Sequence, residues 1–392
     1  MANVFTVVDF SPSGLRVVLG SLKEGRPFVY QAVVGNPVPV DGNGRMSKEE
    51  TIKSLHYLLA TVLQQRKKTD PTAEGLGLFV PLFPPDGFLA KEAESRTGST
   101  SDQIQAMDYR NLFTSLANVT QVPGKRVLTM DPLCFYDDEG NALREFPLGR
   151  NIRQIAMKAD AFLVDEKSYE HYESILSALS LDVYVPLLSP LAALDFLRLY
   201  QPPKDFFLLD LGARSTDFAW VKNGRLLDCR RVQVGIDPAV EQAAKTLGLS
   251  PKRADELLSL FGVRDEAGFD YATTEGITLP QLSKAFEEAF GSVLAEFSRF
   301  ASDQQGGETA PLLFLGKGSQ LDRMPSFFQE KTGRAVKRFE SGVIGARDPS
   351  FLASLGALVA TGYPYQPKVE EAKRREGTQG LANAAFGRKE RN

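Results

Sequence analysis

The sequence predicts an α/β protein made of two related halves, and three observations carry that prediction. First, one local pattern occurs twice: an apolar strand ending on aspartate, a turn of small residues, then a second strand. Near the start it runs Phe5–Val8, Asp9, Phe10-Ser11-Pro12-Ser13-Gly14 and Leu15–Leu22. In the middle it runs Phe206–Leu209, Asp210, Leu211-Gly212-Ala213-Arg214-Ser215-Thr216, Asp217 and Phe218–Lys222. Second, segments with apolar residues at helical spacing follow each copy, so strands and amphipathic helices alternate. Third, 392 residues exceed what one compact core usually holds, so two or more domains are expected.

In the first half, Phe28–Val34 reads as a further strand and residues 38–45 as a turn-rich link. Ser47-Lys48-Glu49-Glu50 has the spacing of a capping box, with Ser47 as N-cap. Ile52, Leu55, Leu58, Leu59 and Leu63 then mark one face of a helix running to Gln65. Leu76–Val80 is a strand, and the Pro/Gly cluster from Pro81 to Gly87 reads as a boundary. Between Phe83 and Val164 the texture changes. A polar loop (Thr97–Ser101) precedes a helix over Asp102–Ala117 with Ile104, Met107, Leu112 and Leu116 inward. Strands over Arg126–Met130 and Gln154–Leu163 flank a polar connector, Asp137–Arg144. Two strands and one helix predict a small inserted α+β subdomain. Lys167–Leu179 is a helix on which His171, beside Glu170 and Glu173, is expected to be exposed. A short strand, Val183–Val185, precedes a helix that opens at Ser189-Pro190 and reaches Leu199.

In the second half, Asn223-Gly224 is a strong hairpin signal, since both residues tolerate positive φ, and Leu226–Val234 supplies the third strand. Gly235 precedes a helix over Asp237–Leu247, and Ser250-Pro251 caps another over Lys252–Leu260. After a loop to Thr278, Leu279-Pro280 opens a long helix in which Leu282, Phe286, Phe290, Val293, Leu294 and Phe297 form a core stripe. Leu312–Leu315 is a strand that runs into Gly316-Lys317-Gly318-Ser319. A helix over Gln320–Thr332 is expected to carry that turn at its N-terminus, a favourable seat for an anion. Phe351–Val359 is a short apolar helix whose small residues, Ala353, Ser354, Gly356 and Ala357, permit close packing. From Tyr365 onward the chain is rich in charge and poor in apolar side chains, which predicts a mobile tail.

Composition narrows the chemistry. Hydrophobic residues at 43% and charged residues at 24% are ordinary for a soluble globular chain. A net charge of −3 makes no electrostatic case for nucleic acid. Cys134 and Cys229 are too few for a disulfide framework or a zinc site, which points to a reducing cytoplasm. With His56 and His171 the only histidines, a histidine-based metal site or catalytic triad is not expected. No apolar run has the length of a membrane span and no signal-peptide pattern opens the chain, so any membrane contact is expected to be peripheral. Each small-residue turn offers backbone N–H groups with an aspartate at its mouth, which makes both hairpins candidate phosphate grips.

Three such turns in this order resemble the ATPase superfamily of actin, heat-shock chaperones and sugar kinases. Asp9–Gly14 stands at the first phosphate loop, Asp210–Asp217 at the second, and Gly316-Lys317-Gly318-Ser319 at the adenosine motif. The segment Arg126-Val127-Leu128, Pro132, Asp138-Glu139-Gly140 and Phe146-Pro147-Leu148-Gly149, with Leu188-Ser189-Pro190-Leu191-Ala192-Ala193 beyond it, resembles the FtsA family of bacterial cell-division proteins. PilM, from type IV pilus machinery, shares this architecture and is the nearest alternative. Arg16 after the first loop also suits PilM.

The resemblance implies an actin-like fold: two ribonuclease-H-like domains around a nucleotide cleft, with an inserted subdomain. Residues 1–82, 166–203 and 346–364 would form subdomain 1A, 83–165 the insert 1C, 204–235 and 308–345 subdomain 2A, 236–307 subdomain 2B, and 365–392 the tail. It implies ATP with Mg²⁺ as ligands, held by Asp9, Ser11, Pro12, Ser13, Gly14, Arg16, Asp210, Gly212, Ala213, Arg214, Ser215, Thr216, Gly235, Gly316, Lys317, Gly318 and Ser319, with Asp9, Asp210 and Asp217 around the metal. It further implies filaments by self-association, a tubulin-like (FtsZ-like) division protein as partner, and a peripheral place on the cytoplasmic face of the inner membrane. Contact there would come through the tail, whose bulky anchors are Leu381 and Phe386 beside Arg388, Lys389 and Arg391. The PilM alternative implies a scaffold that binds a peptide of an inner-membrane partner. A small-molecule kinase is a third reading, for which the sequence offers no catalytic base or sugar-binding signature.

Departures from the family pattern bear on turnover. Ser11 and Pro12 replace more permissive residues in the first loop, and proline removes a donor. Arg214 interrupts the second loop and Lys317 the glycine run. Ser189 stands where glutamate is common, and Leu258 where a nucleotide-contacting lysine is expected. In-line hydrolysis needs a group to orient water, and none is evident near Ser189. ATP binding with weak or absent hydrolysis is the expectation.

Overall fold

The computed structural model describes residues 4–11, 13–42, 44–70, 75–263 and 272–362. Pro12, residues 264–271 of the loop before Thr278 and the tail from Tyr365 therefore lie outside the described residues. The chain divides into two compact units, one reaching Tyr200 and taking up the chain again from Ala353, the other spanning Gln201–Leu352.

The first unit contains strands β1 (Phe5–Asp9), β2 (Arg16–Lys23), β3 (Arg26–Val34) and β4 (Leu78–Phe83), with helix α1 (Lys48–Thr69) between the last two. Then come β5 (Leu89–Gly98), α2 (Ala106–Val119), β6 (Lys125–Tyr136), β7 (Ala142–Leu143), β8 (Gln154–Asp165), α3 (Glu166–Ala178), β9 (Leu187–Leu188) and α4 (Ser189–Arg198). The second unit contains β10 (Phe206–Leu211), β11 (Thr216–Lys222), β12 (Arg225–Val232), α5 (Ile236–Leu247), α6 (Pro251–Phe261), α7 (Leu279–Ser302), β13 (Leu312–Leu315), α8 (Met324–Thr332) and β14 (Val336–Arg338). Helix α9 (Leu352–Ala360) returns the chain to the first unit.

Each unit is built on a five-stranded sheet, and the two sheets have one topology. The first runs β3-β2-β1-β4-β9 and the second β12-β11-β10-β13-β14. In both, the first three strands in sequence are antiparallel neighbours and the last two add in parallel. The doubled pattern seen in the sequence is therefore a doubled sheet. Strand β1 is buried at every position, as a central strand covered on both faces must be, which is why it reads as a continuous apolar run rather than an alternation.

Helices cover the second sheet with aromatic side chains. Phe207 stacks on Trp220 with ring centroids 4.5 Å apart, and Phe297 of α7 meets Phe207 edge-on at 5.5 Å. Of the expected α7 stripe, Leu282, Phe286, Phe290, Val293 and Phe297 are fully inside, while Leu294 packs at the margin. The small residues of α9 also do what their size suggests: Gly356 lies against the Ala192 carbonyl of α4, where a Cβ would overlap it.

Several elements depart from expectation. The insert is a four-stranded sheet, β5-β8-β6-β7, with α2 against it, not two strands and a helix. Strand β5 is charged, so no apolar alternation announces it. It forms because its backbone pairs along β8, with Glu92 and Lys158 bridged at 2.7 Å across the pair. Helix α2 starts later than expected, at Ala106, and on it Met107 is exposed while Tyr109 is inside. The Ser47 side chain makes no capping bond; Thr51 Oγ1 instead donates to the Ser47 carbonyl at 2.6 Å. Val183 makes an isolated bridge to Phe79, and the strand proper is β9, further on. His171 is half-buried, its Nε2 2.8 Å from the Met46 carbonyl oxygen. After Gly316 the chain forms a short 3-10 turn, Lys317–Gln320, and α8 begins only at Met324, because Arg323 takes a left-handed φ of 58°. The glycine turn is thus not the N-terminus of α8.

Candidate functional site

In the second unit, parallel pairing of β10 with β13 sets Asp210 beside Leu315, so the turns leaving both strands meet. Gly316 sits at φ 74°, ψ −178°, backbone that residues with a Cβ avoid. A Cβ there would lie 2.1 Å from Asp210 Oδ1 and 2.8 Å from the Leu211 carbonyl oxygen. Gly318 is similarly filled by the Leu211 side chain. Ser319 is fully buried and its Oγ donates to the Gly316 carbonyl at 2.8 Å, so this hydroxyl fastens the turn.

The second loop is fastened to the start of α5. Ile236 N–H donates to the Gly212 carbonyl (3.1 Å) and Asp237 N–H to the Ala213 carbonyl (2.7 Å). Gly235 allows this, since a Cβ there would meet both carbonyl oxygens at under 3 Å. Thr216 Oγ1 donates to the Val234 carbonyl at 2.6 Å, and Gly212 N–H to the Ser215 carbonyl at 3.0 Å. Ala213, Ser215 and Thr216 are buried. Arg214, Asp237 and Lys317 are charged groups that stay partly or fully exposed here, as does Asp210 at the end of β10. Arg214 Nε lies 3.7 Å from Asp237 Oδ2, both side chains about two-fifths exposed. Burial pushes the Asp237 carboxyl above the ordinary range, while the Arg214 and Lys317 cations pull it down. Loops two and three thus bring two cations, Arg214 and Lys317, to the reluctant Asp237 carboxylate, with Asp255 and Glu241 also acting on it, and the two cations could meet an anionic ligand. Asp237 escaped the sequence reading; only its position at the helix start, beside Gly235, hinted at it.

In the first unit, three backbone donors of the loop are already bonded within the protein. Phe10 N–H goes to the Leu82 carbonyl, Ser11 N–H to the Asp9 carbonyl and Gly14 N–H to the Ser11 carbonyl. Ser11 and Ser13 are half-buried. Arg16 stands directly opposite Asp9 in the β1–β2 ladder, and its Nη1 donates to Asp9 Oδ2 at 3.1 Å. Both side chains are over nine-tenths buried, and Arg16 Nε is buried without a hydrogen-bond partner. An orphan guanidinium N–H of this kind fits an anionic oxygen.

The fit to magnesium is different. Asp217 is held by a two-pronged bond from Arg231, Nε to Oδ1 at 2.6 Å and Nη2 to Oδ2 at 2.7 Å. The Arg231 side chain is 9% exposed and that of Asp217 14%. Mg²⁺ needs oxygen ligands in near-octahedral array, directly or through its waters. Two of the three expected carboxylates already neutralise an arginine, and among the described residues no group of three or more His, Cys, Asp or Glu could hold a metal. Asp9 and Asp217, each already neutralised by an arginine, do not fit the ion. Leu258, at the place of the expected nucleotide-contacting lysine, is wholly buried in the aromatic core.

No family model matches the chain. A search of curated proteins finds the cell division protein FtsA of Streptococcus pneumoniae serotype 2 (strain D39 / NCTC 7466), 23% identical over 273 residues. The match takes in 64% of this chain and spans 58% of that relative's length. Among solved structures, a chain of the PilM–PilN type IV pilus biogenesis complex superposes with a TM-score of 0.56 at 17% identity, covering 90% of this chain and 97% of that one. MreB5 of Spiroplasma citri, bound to ADP, gives 0.52 at 10% identity over 90% and 94% of the two chains. The ethanolamine utilization protein EutJ of Carboxydothermus hydrogenoformans gives 0.51 at 13% over 90% and 88%. Among the described residues no helix is long and apolar enough to cross a membrane. With a duplicated sheet of one topology and these neighbours over nine-tenths of its length, the chain has the actin-like fold.

Proposed function

We propose that this chain is a nucleotide-binding scaffold of the actin fold, with ATP as its ligand and with slow or absent hydrolysis. The observation that carries the reading is the patch of Arg214, Asp237 and Lys317 where the second and third loops meet. Two cations there offset phosphate charge, and among the described residues near Ser189 no group stands out to orient an attacking water. In the finer reading the protein acts as FtsA does in division: it self-associates and links a tubulin-like polymer to the inner membrane. The FtsA relative supports this reading. Likeness to the PilM–PilN chain supports a second one, because it runs over 97% of that chain. There the protein would be a cytoplasmic scaffold holding a peptide of an inner-membrane partner in pilus or secretion machinery.

The test is binding of a fluorescent ATP analogue, followed by co-sedimentation with purified division polymer and with anionic vesicles, with and without ATP. Saturable nucleotide binding with co-pelleting supports the division role. Binding without pelleting under any condition removes that role and favours the peptide scaffold. Absence of saturable binding overturns the nucleotide reading itself.

A further inference from the structure

We infer that nucleotide binding by this chain is independent of magnesium, because in each unit an arginine already holds one of the carboxylates that a hydrated metal ion would use. This rests on the nucleotide-binding reading above and goes beyond it. The two pairs are built by different strands of equivalent sheets: Asp9 faces Arg16 across β1–β2, and Asp217 faces Arg231 across β11–β12. Ladder register sets the two residues of each pair directly opposite one another.

A divalent cation and a guanidinium compete for one carboxylate, and a buried arginine, charged at every working pH, does not yield. Asp210 stands opposite Asp217 on the same face of β10–β11, where two carboxylates would normally invite a cation. Arg231 supplies that cation from inside the chain. In the first unit, Arg16 carries the spare buried Nε donor, for which a phosphate oxygen is a suitable acceptor. Guanidinium groups bind phosphate without dehydrating an ion, and they cannot leave with the product.

The experiment measures the affinity of the full chain for a fluorescent ADP analogue in EDTA and in millimolar Mg²⁺. The expected result is equal affinity within about twofold, well under the tenfold that a single good interaction confers. A loss of more than about tenfold in EDTA, restored by Mg²⁺, overturns the inference while leaving nucleotide binding intact. No saturable binding in either buffer overturns both. Arg231→Gln, which releases the Asp217 carboxylate, is expected to weaken binding in EDTA about tenfold or more and to recover part of it with Mg²⁺. An Arg231→Gln protein that binds as tightly as wild type in EDTA would remove Arg231 from the account. Should that variant fail to fold, the wild-type comparison still decides.

Discussion

Replacing Gly316 by alanine tests how the second and third loops are held together. At φ 74° and ψ −178° a side chain is strained by about 1–3 kcal/mol. The new Cβ would also overlap Asp210 Oδ1 at 2.1 Å and the Leu211 carbonyl oxygen at 2.8 Å. The carboxylate can swing aside, but the carbonyl belongs to the β10 backbone and cannot. Forcing them apart adds about another 1–3 kcal/mol. A total of about 2–6 kcal/mol, centred near 4, lowers the melting temperature of a unit of this size by roughly 8–16 °C. Calorimetry on Gly316→Ala reads that shift. The control is Gly25→Ala in the β2–β3 hairpin, where φ is also 74° but a Cβ meets nothing within 4 Å. It should cost about 1 kcal/mol, the backbone share alone. Equal shifts for the two variants would refute the packing argument, as would a Gly316→Ala protein that melts with wild type.

Three further outcomes are expected. Arg231→Ala leaves a largely buried Asp217 opposite Asp210 with its guanidinium gone, and should cost about 3–5 kcal/mol in urea unfolding; replacing Arg231 and Asp217 together by apolar residues should recover much of it, and failure to recover would mean the pair itself is not the cause. Gly356→Ala must push α9 off the Ala192 carbonyl of α4, for which about 2 kcal/mol or more is expected; unchanged stability would show that the helices do not pack this closely. Hydrogen bonds, the largest from Arg253 and the next from Thr273, pull the Glu275 carboxyl down to about 2. A depressed acid contributes stability above its unfolded pKa, near 4.5, and loses it as pH falls toward 2. Carboxyl titration by NMR should place Glu275 there in wild type and move it up toward the ordinary range in Arg253→Ala, whereas an ordinary value in wild type would remove the pairing.

Much of this molecule was legible in the order of its residues. Strand, aspartate, small-residue turn and strand are local chemistry, so both hairpins, their aspartates and the glycine turn after Leu315 could be read directly. The long aromatic stripe of α7 could too, because helical periodicity is a property of sequence. Strand β5 could not, since its lining is charged and only pairing with β8 makes it a strand. Nor could the partners of the site carboxylates. Counting back from the Asn223-Gly224 turn sets Arg230 opposite Asp217. A bulge at Trp220/Val221 shifts the ladder by one residue, and Arg231 takes that place. A one-residue slip exchanges the faces of a strand, so Arg231 reaches the buried carboxylate while Arg230 pairs with Asp303 at the surface. Residue order determined which acids stand at the loops. The β-ladder, a tertiary feature, decided that two of them are already answered by arginine.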